Sequence, residues 1–242
     1  MGAFRRQFLK GEKKAETIAA RVPRRHKLDI AVSSGDGMIA ILQGSGDGTF
    51  ALTFAIGGGT GAGSLLAGDF NSDGILDLAA VSTSSNSVRI LLGDGGGAFN
   101  QGSTLQTGAA PQSIAAGDFN GDGYADLAVT NSGSNFVTIL MGSASGTFTV
   151  ASPVASPAAP MWVSVGDLNG DGKVDLVVAN GTDGSFSVLL GQGNGTFVPA
   201  YVPVKMGTDL VSAYLVETNN DGRFDLIVFD ARSSKVTTLV SK

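Results

Sequence analysis

Residues 69–77 read Asp-Phe-Asn-Ser-Asp-Gly-Ile-Leu-Asp, and variants of this stretch occur three more times along the chain. The copies span 118–126, 167–175 and 217–225, so successive starts lie 49, 49 and 50 residues apart. A constant period of this length indicates a repeat architecture in which each repeat is one supersecondary unit. This nine-residue stretch therefore identifies the repeat, and the residues around it define the unit.

The surroundings of each copy also repeat. In the unit around residues 118–126, short apolar runs occupy 113–117, 127–129 and 137–141, and a glycine-rich turn follows them. That turn ends in phenylalanine in four units, at Phe50, Phe99, Phe148 and Phe197. Apolar runs of three to six residues, bounded by Gly, Asn, Asp or Ser, predict strands rather than helices. Four such strands per unit match one blade of a β-propeller.

The two ends of the chain complete the predicted fold. Gly2-Ala3-Phe4 matches Gly97-Ala98-Phe99, so residues 2–10 are predicted to be the fourth strand of the last unit, and residues 17–20 the first strand of the first. The expected fold is a single all-β domain, 1–242, with five four-stranded blades closed into a ring. Its repeats run over about 14–61, 62–110, 111–159, 160–208 and 209–242. A piece of a larger propeller is the alternative.

Composition excludes several classes of protein. The 242 residues include 36 glycines and no cysteine, which rules out disulfides, thiolate zinc sites and cysteine nucleophiles. No apolar run reaches 18 residues, so no transmembrane helix is expected. Residues 1–27 have no apolar segment of the kind found in secretory signals. We therefore expect that a leader was removed, or that the chain is a fragment or a cytoplasmic protein.

The charges are unevenly distributed. Residues 1–27 hold nine of the sixteen Lys and Arg but only two acids, so the remainder has a formal charge of -12. Twelve of the 21 acidic residues lie in the four nine-residue copies. Crowded carboxylates raise each other's pKa and destabilise a fold unless a cation neutralises them. The pattern therefore predicts bound metal ions.

The type of ligand favours calcium. Oxygen-bearing side chains stand at positions 1, 3, 5 and 9 of each copy, and a carbonyl at position 7 can join them. Glycine at position 6 permits the sharp turn of a calcium loop. Nitrogen and sulfur ligands are missing, which disfavours zinc and copper. Asp, Asn and Gly also favour ordinary turns, but four copies in register, each with three carboxylates, favour metal.

Two features limit this interpretation. An EF-hand needs Glu at position 12, whereas this chain has Ala80, Val129, Val178 and Val228 there, so a β-hairpin loop is predicted. In the first unit the corresponding residues, 21–28, are mostly basic, and only Asp29 of the ligand pattern remains. No calcium is expected in that unit.

The loops and the Gly-Thr-Phe turns resemble the FG-GAP/VCBS repeats of propellers of the integrin α-subunit type, over residues 28–242. This resemblance implies calcium in the hairpin between the first two strands of a blade, with about four ions per chain. The ligands it implies, with the carbonyl oxygen acting at the seventh position of each set, are Asp69, Asn71, Asp73, Ile75 and Asp77; Asp118, Asn120, Asp122, Tyr124 and Asp126; Asp167, Asn169, Asp171, Lys173 and Asp175; and Glu217, Asn219, Asp221, Arg223 and Asp225.

The resemblance also implies a secreted or cell-surface protein that serves adhesion, sugar binding or a catalytic partner domain. We expect a non-catalytic module that binds a protein or glycan on the face opposite the calcium loops. The hydroxyl and amide groups of the loops there, 83–87, 131–135 and 181–185, could hydrogen-bond such a ligand, although ordinary polar turns are favoured. Trp162 and Tyr214 could stack on a ligand, although core packing is favoured for both.

Other functions are less well supported. The propeller domain of a calcium-dependent extracellular enzyme, a polysaccharide lyase or hydrolase, remains the alternative. The chain has a single histidine, His26, between Arg25 and Lys27, so a Ser-His-Asp relay is not indicated and no catalytic residue is predicted. Between Lys10 and Lys27 the basic N-terminal stretch has no interleaved aromatic residue, so no nucleic-acid partner is expected. The oligomeric state is left open.

Overall fold

All regular structure in the described part of the chain is β-strand. The computed structural model describes residues 28–59, 61–156, 158–200 and 203–241, together with the backbone of 16–20. The described residues do not include the predicted closing strand 2–10 or the basic residues 21–27, among them His26. The 21 strands, β1 to β21, form five antiparallel sheets.

Each sheet is a meander whose strands follow in chain order. The first sheet contains β1 (Glu16–Ala20), β2 (Asp29–Ser33), β3 (Met38–Gly44) and β4 (Phe50–Gly57). The second contains β5 (Ala62–Gly68), β6 (Asp77–Ser82), β7 (Ser87–Gly93) and β8 (Phe99–Gln106). The third contains β9 (Pro111–Gly117), β10 (Asp126–Asn131), β11 (Phe136–Met141), β12 (Thr149–Val150) and β13 (Val154–Ala155).

The last two sheets follow the same order. The fourth contains β14 (Pro160–Gly166), β15 (Asp175–Asn180), β16 (Ser185–Gly191), β17 (Phe197–Pro199) and β18 (Val204–Lys205). The fifth contains β19 (Leu210–Val216), β20 (Asp225–Asp230) and β21 (Lys235–Leu239). The strand positions predicted around the nine-residue copies are thereby confirmed.

The sheets pack against one another in a series. The first strands β1, β5, β9, β14 and β19 each contact the next one in this order. Four apolar clusters fill the spaces between consecutive sheets. Strands β6, β10 and β15 are buried at every residue because a neighbouring sheet covers each of their faces. Such strands read as continuous apolar runs instead of alternating ones.

The outer strands differ from the prediction of one continuous fourth strand. In the third and fourth sheets this strand is split into two short segments, which pair with β11 and with β16 respectively. Pro153 lies in the first break, and Pro199 and Pro203 flank the second. Proline cannot donate a ladder hydrogen bond and is confined to edge strands and irregularities. These interruptions blunt the sheet edges against association with other chains.

The fifth sheet is less well covered than the inner ones. Phe229 and Val236 are 37% and 59% exposed, whereas the equivalent residues of the second sheet, Val81 and Val88, are fully buried. The flank of the fifth sheet that points away from the fourth is therefore an uncovered apolar surface among the described residues. None of the described residues belongs to a helix with the length and hydropathy needed to cross a bilayer.

Candidate metal centre

The four nine-residue loops all connect the first and second strands of their sheets. They join β5 to β6, β9 to β10, β14 to β15 and β19 to β20. Because each sheet is a meander and the sheets are stacked in series, the four loops lie at equivalent ends of their sheets. The predicted hairpin position of the loops is confirmed.

The backbone of each of the first three loops wraps around the carboxylate of its first residue. In the second sheet, Asp69 accepts hydrogen bonds from the N–H groups of Asp73 at 3.2 Å and Gly74 at 2.8 Å. Gly74 has a φ of 80°, a conformation that suits glycine. The carboxylates of Asp118 and Asp167 accept the corresponding bonds. The glycine at position 6 therefore has the turn-forming role expected of it.

Positions 3 and 5 are joined to each other and to the loop backbone. Asn71 accepts a bond from the N–H of Asp73 at 3.1 Å, and its amide donates to the Asp73 carboxylate at 2.8 Å. Asp73 also accepts a bond from the N–H of Ile75 at 2.7 Å. The other three loops contain the same bonds, including the loop that begins at Glu217.

Lys173 gives the third loop a cation of its own. Its ammonium lies 3.7 Å from a carboxylate oxygen of Asp171, and both side chains are partly exposed. The pKa of Asp171 is lowered, first by the hydrogen bond from the Lys173 backbone N–H and also by the Lys173 charge. A screened surface pair of this kind contributes little to stability. It nevertheless places a positive charge beside one of the predicted ligand carboxylates of this loop.

The ninth-position aspartates have a structural role that the sequence reasoning missed. Asp77 is fully buried and accepts bonds from the N–H of Phe70 at 3.0 Å and of Gly93 at 2.8 Å. Phe70 lies in the loop, and Gly93 ends the third strand, so the carboxylate ties the two together. Equivalent pairs of bonds reach Asp126, Asp175 and Asp225. We call this arrangement the aspartate clip.

The first sheet shows one of the two bonds of the clip, and its sequence lacks the other ligand residues. Asp29 is buried and accepts a bond from the N–H of Gly44 at 2.8 Å. In the sequence, Asp29 stands at the ninth position although the other ligand residues are missing from 21–28. This was the signal that the aspartate has a role independent of metal.

Neighbouring carboxylates in the loops affect each other electrostatically. Burial raises the pKa of Asp77, and the negative charges of Asp73 and Asp69 raise it further, against the lowering effect of its two hydrogen bonds. Burial raises the pKa of Asp126 in the same way. In the fifth sheet the hydroxyl of Thr218 lowers the pKa of Asp225. The first two loops thus contain mutual repulsion between carboxylates that a cation would relieve.

The loops fit calcium by the chemistry of their donors. Every predicted side-chain ligand is a carboxylate or an amide, and these are the oxygen donors that calcium takes in proteins. Within the described residues, however, no three acidic side chains are close enough together to hold a metal ion. Their oxygens bond to loop N–H groups, and Ile75, Tyr124, Lys173 and Arg223 each direct their own N–H at the position-5 carboxylate. Binding would therefore require the carboxylates to converge.

The loops at the opposite ends of the sheets are occupied by structural bonds. Asn86 accepts a bond from the N–H of Ala110 at 2.9 Å, and Asn135 accepts one from Ala159 at 2.8 Å. These bonds attach each loop to the connection that leads into the next sheet. Trp162 packs against Tyr214 with ring centroids 5.0 Å apart, although Tyr214 is 41% exposed. The side chains of Asn86 and Asn135 therefore stabilise the packing between sheets whether or not a ligand binds.

Comparison with known proteins supports the repeat assignment. The model of the FG-GAP-like repeat matches four overlapping segments, residues 26–80, 77–129, 118–178 and 167–228. No curated protein matches the chain significantly.

Several solved structures share the fold at low sequence identity. A protein from Lactobacillus plantarum is 20% identical, with a TM-score of 0.59 over 88% of this chain and 67% of that chain. A "putative 6-phosphogluconolactonase" from Bacteroides uniformis is 15% identical, with a TM-score of 0.68 over 89% and 64%. BBS1N, in complex with ARL6DN, is 10% identical, with a TM-score of 0.59 over 93% and 69%. The chain thus spans about two thirds of the length of these structures, and at such identities the likeness concerns the fold alone.

Proposed function

The chain belongs to the FG-GAP-like repeat family, and on that premise we propose that it is a calcium-stabilised β-propeller that acts as a non-catalytic binding module. The observation that carries the proposal is the recurrence of one oxygen-donor loop at the same end of four sheets, with carboxylates that repel one another in the first two of these loops.

Calcium would be held by the side chains at positions 1, 3, 5 and 9 and the carbonyl at position 7. The ion supplies positive charge that allows several carboxylates to share one small volume. In the first three loops the backbone is already folded around the carboxylate at position 1, and in all four loops the clip holds position 9 in place. Calcium binding would require one further step, in which the remaining carboxylates converge on the ion.

The five sheets are proposed to close into a ring. Support comes from the serial packing of the first strands and from the apolar flank of the fifth sheet, where Phe229 and Val236 are exposed. On the first sheet, Ile30 and Val32 stand where Leu127 and Val129 face the preceding sheet, and they are only half-buried. Joining the two flanks would bury apolar surface, and each Å² removed from water would contribute roughly 25 cal/mol to the free energy of unfolding.

The proposed partner is a protein or a glycan that binds at the loop ends opposite the calcium loops. Ser84 and Thr182 are exposed there, on a scaffold held by the bonds of Asn86 and Asn135. We also propose that the protein is secreted or located at the cell surface. Calcium sites of extracellular modules bind with Kd values of about 10⁻⁴–10⁻³ M, which suits loops that must gather their ligands.

Metal removal tests the calcium part. The full chain should bind about four ions, and its melting temperature should fall when a chelator is added. At a calcium concentration of 100 Kd, each site adds about 2.7 kcal/mol by mass action. Asp73→Asn should remove one ion, whereas Asp47→Asn, which changes an acid outside the loops, should remove none. An unchanged melting temperature with no bound metal would refute calcium stabilisation.

A binding screen tests the module part. The chain is presented to a glycan array and to candidate proteins, and Ser84→Arg with Thr182→Arg should abolish any hit while leaving the melting temperature unchanged. The matched control places arginine at Asn194 in a turn on the calcium side. Turnover of a polysaccharide or of a 6-phosphogluconolactone by the pure chain would show instead that the protein is an enzyme.

A further inference from the structure

We infer that Lys173 sets the calcium affinity of the third loop, residues 167–175, because its ammonium competes with the ion for the carboxylate of Asp171. The inference rests on the calcium binding proposed above and adds an order of loading to it. The first two loops, 69–77 and 118–126, should fill first, and the third loop should need about tenfold more calcium.

The contacts of Asp171 differ from those of its counterparts. The Nζ atom of Lys173 lies 3.7 Å from Oδ2 of Asp171. The amide of Asn169 donates to the same oxygen at 3.3 Å, whereas Asn71 and Asn120 donate to the equivalent oxygens of their loops at 2.8 Å. The oxygen of Asp171 is therefore shared between the amide and a cation from within the loop.

The outer turn of the fourth sheet holds the stem of Lys173. A Cβ added at Gly193 would lie 3.2 Å from Cδ of Lys173 and 3.5 Å from its Cγ and Cε. In the second sheet, a Cβ added at Gly95 would lie 3.4 Å from Cδ1 of Ile75. The side chain at position 7 thus packs against the outer turn in both sheets. In the third loop this packing covers the methylene groups of a lysine, and the charged end remains at the carboxylate.

The residue at position 7 also changes the formal charge of each loop. Ile75 and Tyr124 add no charge at pH 7, so each of the first two loops has three carboxylates and a charge of -3. Lys173 reduces the charge of the third loop to -2, and Arg223 does the same in the fourth loop. The calcium affinity of loops with oxygen ligands depends on how much ligand charge they carry. The third loop is therefore expected to bind calcium more weakly than the first two.

Calcium and the ammonium compete for one group. Asp171 is a predicted ligand at position 5, and Lys173 would supply the carbonyl at position 7. A bound divalent ion repels the ammonium, so the side chain must turn away from Asp171 and lose its ion pair. Loss of a partly exposed pair costs little, but the repulsion between the two cations remains. The charge of Lys173 should therefore affect calcium affinity more than folding.

Calcium titration of the full chain tests the inference. Every protein compared carries Asp221→Asn, which removes the ion of the fourth loop, so that only the first three loops load. Lys173→Met keeps an unbranched stem without the charge and should raise the affinity of the third loop about tenfold. Lys173→Arg keeps the charge and should leave the affinity nearly unchanged. Calorimetry gives the affinities, and native mass spectrometry counts the ions.

Ile75→Lys gives the reciprocal test. It places a lysine at position 7 of the first loop, against Gly95, and should lower the affinity of that loop about tenfold. Ile75→Met is the matched control without a charge and should bind like the parent. Both tenfold differences should shrink in about 1 M salt, where the screening length falls to about 3 Å. An effect of side-chain shape alone would persist in salt.

The outcomes separate this inference from the calcium proposal. Equal affinities for Lys173→Met and Lys173→Arg would overturn the inference and leave calcium binding intact, whereas absence of bound calcium in every variant would overturn both. Because the ion pair is partly exposed, each variant should melt within about 2 °C of its parent in chelator. If Lys173→Met fails that check, Lys173→Gln provides the same comparison with Lys173→Arg.

Discussion

The first and second sheets are built alike but differ in the connection between their first two strands. Both are four-stranded meanders, and both bury an aspartate that accepts a bond from the residue ending the third strand, Asp29 from Gly44 and Asp77 from Gly93. Only the second sheet carries the acidic loop with Asp69. The buried aspartate therefore has a role in the sheet that does not require the acidic loop, whereas the other residues of the motif occur only with that loop.

Removing the clip of the second sheet should have the largest effect. Asp77→Ala leaves the N–H groups of Phe70 and Gly93 buried without an acceptor, which costs about 3 kcal/mol of unfolding free energy. Urea unfolding in a chelator measures this cost without any contribution from metal. Asp77→Asn keeps one acceptor and should lose about half as much. Full stability of the alanine variant in chelator would show that position 9 serves only as a calcium ligand.

The contact between the loop of the second sheet and its neighbour gives a smaller effect. A Cβ added at Gly146, in the turn of the third sheet, would lie 2.8 Å from the Cβ of Asn71, and Gly146 has a φ of 70°. Gly146→Ala should therefore cost about 2 kcal/mol. Gly48, in the equivalent turn of the first sheet, has a φ of 91° with nothing within 4 Å of an added Cβ. Gly48→Ala should cost about 1 kcal/mol, measured by thermal unfolding, and equal losses would contradict the contact.

The first-sheet clip should matter equally with and without calcium. Asp29→Ala removes the acceptor for the N–H of Gly44 and should cost about 1 kcal/mol. Because the other ligands are missing beside Asp29, the loss should be the same in calcium and in chelator. For Asp77→Ala the loss should be greater in calcium. A calcium-dependent loss for the Asp29 variant would place a metal in the first sheet.

The smallest expected effect is on the way the melting temperature falls at acidic pH. The pKa of Asp36, in the first sheet, is lowered mainly by the hydrogen bond from Ser34 and then by the Met38 N–H. Since the folded pKa lies below the unfolded one, this carboxylate stabilises the fold above its ordinary pKa of 3.8 and loses that effect as the pH falls further. Asp36→Asn should slightly flatten the decline in melting temperature between pH 5 and 3. An unchanged slope would contradict the assignment.

Most of the strands could be predicted from the sequence because the same strand pattern occurs in four successive repeats. Strand positions around residues 113–117 and 127–129, the hairpin placement of the loops and the turn role of Gly74 were all predictable from period and turn chemistry. The split outer strands were not predicted, although Pro153, Pro199 and Pro203 were visible. Calcium binding, the ligand set and the partner remain predictions.

The sequence alone was enough to define the repeating unit and the oxygen donors in each loop, because local spacing controls where strands and turns form. The role of each donor emerged only from the folded structure. Asp69 and Asp77 are the same residue type in one loop, yet Asp69 holds the turn around itself while Asp77 bonds to Gly93, sixteen residues away. That division depends on which backbone N–H groups packing brings to each carboxylate, and local sequence does not encode it.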